Sequence, residues 1–204
     1  MSIIITGEYN ITYLHIPKTA GTSMTEWLMA SKGDSESVTW DTHPKLSEIR
    51  ERRPNNFSFT IVRNPWDRMV SSYHYMKNIS LQEGSSWLKL NNISEDNFPT
   101  FDYWVKHITE FLSPDTYWFG PHTSQAEWID CNVDLILRYE NLQTDIMSLQ
   151  QAMRSTIPLP HIYNSGRTNY KDYYTDETRK IVEKLNEDDI DIWKYRYLYP
   201  LKWN

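Results

Sequence analysis

Cysteine is nearly absent: Cys131 stands alone among 204 residues, so no intrachain disulfide framework holds the fold. That usage fits a reducing compartment. No Cys or His cluster has metal-ligand spacing, which argues against a structural zinc and predicts no bound metal. No run of about 18 apolar residues occurs, so no membrane-spanning helix is expected. The first residues, MSIIITGEYN, lack the basic and apolar regions of a signal peptide. Positive charge is also scarce. Lys and Arg number 21 against 27 Asp and Glu, a net charge of −6. The bulk field therefore disfavours nucleic acid and other polyanionic partners. The one basic cluster, EIRERRP (48–54), is diluted by glutamates and reads as a solvated helix face.

Aromatic residues are abundant, with nine Trp and fourteen Tyr. They serve packing, or some of them line a cleft for a planar base or a sugar face. Neither internal repeats nor low-complexity linkers are visible, and the length suits one α/β domain over 1–204. Strand and helix signals alternate. SIIIT and ITYLHI are β-branched runs around the turn-like GEYN, and SVTWD (37–41), FSFTIV (57–62) and VDLILRY (133–139) read as further strands. Helical spacing follows in GTSMTEWLMA, in 44–52, from Pro65, in 101–112, in 141–156 and in 176–186. Residues 78–98 read as a long polar loop, and the chain closes on an aromatic tail. The alternation predicts a three-layer α/β fold, P-loop-like, with a mainly parallel central sheet flanked by helices.

Two strand-to-helix junctions carry chemistry. In HIPKTAGTS a strand ends near Ile16, Pro17 fixes the exit and a helix starts around Gly21–Ser23. Unpaired amides and the helix dipole favour an anion there. Gly21 lets a ligand approach the backbone, Thr19, Thr22 and Ser23 offer hydroxyls, and Lys18 adds a mobile ammonium. The pattern differs from the Walker loop GxxxxGK[ST], because the lysine precedes the glycine. Helix capping with an incidental lysine is the simpler alternative. The second junction, IVRNPWDRMVSSY (61–73), places Arg63 at a strand end and Ser71 eight residues on. Arginine is the fork-shaped donor suited to a terminal phosphate. A strand-end salt bridge and a small packing residue are the alternatives.

The ordered pair IPKTAGTS and VRNPWDRMVSSY resembles the nucleotide-binding motifs of sulfotransferases that use 3′-phosphoadenosine 5′-phosphosulfate (PAPS). The resemblance is to the branch of carbohydrate sulfotransferases that contains heparan sulfate 2-O-sulfotransferase. LILRYENLQTDI and the segment from NYKDYYTDE to DIWKY also look like its C-terminal half; residues 78–120 match least. The resemblance implies that the loop Lys18, Thr19, Ala20, Gly21, Thr22 and Ser23 holds the 5′-phosphosulfate. It implies that Arg63 and Ser71 hold the 3′-phosphate, with Arg167 in NSGRTNY a further contact. A P-loop-like α/β sheet is the family's fold.

The expected reaction is sulfuryl transfer to an acceptor hydroxyl, of a carbohydrate or small molecule, governed by positioning and electrostatics and needing no metal. Lys18 is the natural group to stabilise the leaving phosphate oxygen. Histidine suits the base role, and the branch carries its catalytic histidine between the two motifs. His43, in WDTHPKL, is the only histidine in that interval, although it also suits capping of the next helix. His15 is expected to point into the sheet or pack beneath the loop. Two other readings stand beside this one: a P-loop small-molecule kinase, and a non-catalytic nucleotide- or glycan-binding module. Without a membrane anchor, a cytoplasmic enzyme of bacterial or viral origin is expected if the chain is full length.

Overall fold

The β-branched runs at the start of the chain pair with each other and nucleate a sheet. The computed structural model describes residues 2–33, 37–41, 45–83, 97–107, 123–162 and 168–197. Its five strands are β1 (Ser2–Thr6), β2 (Ile11–Leu14), β3 (Ser37–Asp41), β4 (Phe57–Val62) and β5 (Leu135–Arg138), in the order β3-β1-β2-β4-β5. β2, β4 and β5 are mutually parallel, and β1 is antiparallel to both neighbours. Four strands thus share one direction, and the mainly parallel sheet expected from the sequence is present. β1 is the exception for a physical reason. Residues 7–10 are too few for a parallel crossover, which needs about a dozen, so the connection is a hairpin. Gly7 turns it at φ 135°, a conformation that favours glycine.

Register sorts the side chains onto two faces. Ile3 lies opposite Tyr13, Tyr13 opposite Phe59, and Ile61 opposite Leu137. Against this row pack Met24, Trp27 and Leu28 of α1 (Gly21–Ser31) and Leu142, Ile146 and Leu149 of the helix α5 (Leu142–Ala152). Trp27 is fully buried, and its indole donates to the Ile157 carbonyl at 2.8 Å. On the other face α2 (Leu46–Arg52) approaches through Arg50, which donates to Ser58 Oγ at 2.9 Å. Helices on both faces complete the three layers.

The described residues fall into two compact units. The first, within 1–64, 125–164 and 196–204, contains the sheet with α1, α2 and α5. The second, within 65–124 and 165–195, contains α3 (Pro65–Glu83), α4 (Phe101–Lys106), α6 (Asp176–Leu185) and α7 (Glu187–Trp193). Its core is aromatic. Tyr73 meets Phe101 edge-on at 5.4 Å, and Tyr174 meets Phe101 at 4.9 Å. Arg68 is buried and donates to the Thr123 carbonyl at 2.9 Å, while Ser124 donates to Asp189 at 2.9 Å.

Several boundaries differ from the sequence reading. β2 stops at Leu14, two residues before Ile16, where the Leu14 carbonyl takes the Thr60 hydroxyl at 2.8 Å. α3 runs to Glu83 through the start of the supposed loop, because no Pro or Gly interrupts 66–83. α5 ends at Ala152, and Arg154 then turns left-handed at φ 47°. α7 occupies part of what reads as an aromatic tail. Residues 108–120, and with them the end of the helix expected over 101–112, lie outside the described residues.

Candidate active site

The junction between β2 and α1 is an uncapped helix start on a strained loop. Lys18 and Ala20 both adopt left-handed backbone, at φ 68° and 72°. For non-glycine residues this costs roughly 1–2 kcal/mol each, and such strain tends to collect where a site needs it. Ala20 is also the N-cap of α1, and it offers no side-chain acceptor to the first amides. No acidic residue occupies the first turn of α1. With neither a capping side chain nor a first-turn acid, the helix start presents amide hydrogens and positive dipole beside a half-buried lysine. This donor set fits a phosphate or sulfate group.

Two hydrogen bonds among those that hold the loop tie its backbone down. The Thr19 hydroxyl donates to the Ile16 carbonyl at 2.8 Å, within the loop itself. Arg63, at the end of β4, donates from Nη1 to the Lys18 carbonyl at 2.9 Å. A hydrogen bond from a charged donor contributes about 1.5–3 kcal/mol, enough to offset the strain at Lys18. Arg63 is 4% exposed and its guanidinium lies 3.7 Å from the centroid of the Tyr139 ring. Its backbone is gripped by Gln125: Arg63 N–H donates to Gln125 Oε1 and Gln125 Nε2 donates to the Arg63 carbonyl, both at 2.8 Å. Glu140 accepts the next amide, that of Asn64, at 2.5 Å.

The structure brings Lys18, Thr19, Ala20, Gly21, Thr22, Ser23 and Arg63 together in the first unit, and it gives two of them contacts within the protein. The Thr19 side chain is buried, with its hydroxyl turned inward to the Ile16 carbonyl. Gly21 makes room for another side chain of the protein. A Cβ there would lie 1.7 Å from His15 Nε2, so the imidazole already fills the space. His15 is half-buried, its ring stacked on Tyr13 at 5.8 Å and packed against the first turn of α1. Burial pushes the Tyr13 phenol up, keeping it neutral. Ser23 is 8% exposed and accepts the Ile162 amide at 3.3 Å; Thr22 is exposed.

Ser71 stands half-buried on α3 in the second unit. His43 and Arg167 lie outside the described residues. Sequence reasoning did not single out Gln125, Tyr139 or Glu140. The strand-like LILRYEN ran past two of them, but nothing in its pattern shows that they meet Arg63. Among the described residues no cluster of three or more His, Cys, Asp or Glu could hold a metal, and no helix is long and apolar enough to cross a membrane.

Comparison with known proteins agrees with this loop chemistry at family level. The profile of the sulfotransferase family matches residues 1–196. No curated protein and no solved structure matches the chain. With the paired strand-to-helix junctions in place and the match running over nearly the whole sequence, the chain belongs to the sulfotransferase family.

Proposed function

We propose that the protein transfers the sulfuryl group of PAPS to an acceptor hydroxyl, carbohydrate or small-molecule, as in the carbohydrate branch its motifs resemble. The observation that carries this reading is the loop at the uncapped start of α1, left-handed at Lys18 and Ala20 and tied by Arg63 to the second motif. The donor supplies an activated sulfur whose bond to a 5′-phosphate oxygen breaks as the acceptor oxygen attacks. The α1 amides, from Gly21 through Ser23, bind the phosphosulfate end. Lys18 neutralises the charge that grows on the departing phosphate oxygen, a contribution larger in the transition state than before it. His43 takes the acceptor proton; its place between the two motifs supports the assignment. Arg63 and Ser71 discriminate the 3′-phosphate, with Arg167 an additional anion contact. No metal is needed for this displacement, and the site of action is the cytoplasm.

Calorimetry with adenosine 3′,5′-bisphosphate and with ATP plus magnesium tests the donor. Tight binding of the bisphosphate and weak binding of ATP supports the reading; the reverse preference supports a kinase. Turnover of PAPS across a panel of glycans and small hydroxyl compounds, read by mass spectrometry, then separates an enzyme from a binding module.

A further inference from the structure

Two residues outside both motifs, Gln125 and Tyr139, hold Arg63 and set where its side chain points. The guanidinium lies over the Tyr139 ring at 3.7 Å, a stacked placement that restricts the planar group to one plane. Gln125, fully buried, pairs with both the N–H and the carbonyl of Arg63 as a neighbouring strand would. From that fixed position Nη1 reaches the carbonyl of Lys18, a residue held at φ 68°. We propose that Tyr139 and Gln125 are positioning residues for sulfuryl transfer, acting through Arg63 to hold the Lys18 backbone left-handed and so to place its ammonium. The proposal rests on the reading that Lys18 acts on the leaving phosphate.

Glu140 accepts the neighbouring amide, that of Asn64. The clamp therefore runs from Gln125 and Tyr139 to Arg63 and then to Lys18, all within the first unit. It transfers no charge; it restricts a lysine whose side chain matters most in the transition state. Loosening it affects kcat more than donor KM.

The test compares Tyr139→Leu, which removes the ring, with Tyr139→Phe, which keeps it. The Leu variant lowers kcat about tenfold with donor KM within about twofold, and the Phe variant restores kcat. In the ligand-free protein, amide exchange of a peptide covering 17–22 is faster in the Leu variant and unchanged in the Phe variant. Gln125→Met, shape-matched but without polar ends, gives the same two changes and replaces Tyr139→Leu should that variant fail to fold. Unchanged exchange and kcat in a folded Leu or Met variant overturns the proposal, as does an equal loss in Leu and Phe. A wild-type chain that neither binds adenosine 3′,5′-bisphosphate nor turns over PAPS overturns the role of Lys18 instead. The exchange comparison still decides the clamp in that case.

Discussion

Lys18 and Arg63 are joined through one 2.9 Å hydrogen bond, so the two motifs respond to substitution as a pair. Lys18→Ala removes one donor from the leaving oxygen and lowers kcat by about two to three orders of magnitude in steady-state assays, with the fold intact by circular dichroism. His43→Ala abolishes turnover and leaves calorimetric affinity for adenosine 3′,5′-bisphosphate nearly unchanged; surviving turnover removes His43 from the mechanism. Gly21 makes a separate prediction. Gly21→Ala forces a methyl into the His15 ring, 1.7 Å from Nε2, and destabilises the protein by about 1–3 kcal/mol in urea unfolding. His15→Ala in the same chain relieves most of that loss, giving a non-additive double-mutant cycle. Residue types in the loop were legible in the sequence, but the partner of each was not. The glycine of this loop suggests ligand access in the sequence; the structure adds a histidine, six residues earlier, whose ring a Cβ there would strike.

At the scale of elements, apolar periodicity located the strands and most helices, and errors gathered at the ends. α3 overran its expected limit because local polarity suggested a loop while nothing in 66–83 stops a helix. β5 illustrates what pairing adds. Asp134, just before it, accepts the Ser58 hydroxyl at 2.6 Å and the Ser58 amide at 2.7 Å, and Arg50 lies 3.1 Å away. Ser58 first, and then Arg50, hold its carboxyl below the ordinary value of 3.8. A carboxyl depressed in the folded state stabilises above the unfolded value, and that stability is lost as pH falls through the folded one. Asp134→Asn therefore destabilises the chain at neutral pH. The difference from wild type in urea unfolding shrinks as pH drops below 3.8.

For the whole molecule, a net charge of −6 sets the average field against a highly anionic acceptor and leaves the proposed donor binding to the local amides, Lys18 and Arg63. Binding that selects the folded state stabilises it by mass action. Adenosine 3′,5′-bisphosphate at a hundred times its Kd raises unfolding free energy by about 2.7 kcal/mol, and ATP at the same concentration raises it far less, as thermal melts report. Composition, periodicity and the two ordered motifs determined the α/β class, the early and middle strands, and the two strand-to-helix junctions that carry the family resemblance. These are local signals: a 3.6 or 2.0 repeat, a helix start, a lysine and an arginine at strand ends. Tertiary structure alone decided that β3 lies beside β1 and that β4 lies beside β2. It also decided that Gln125 and Tyr139 grip Arg63. Each depends on residues far apart in the chain meeting at fixed distance and orientation, and no periodic pattern encodes that meeting.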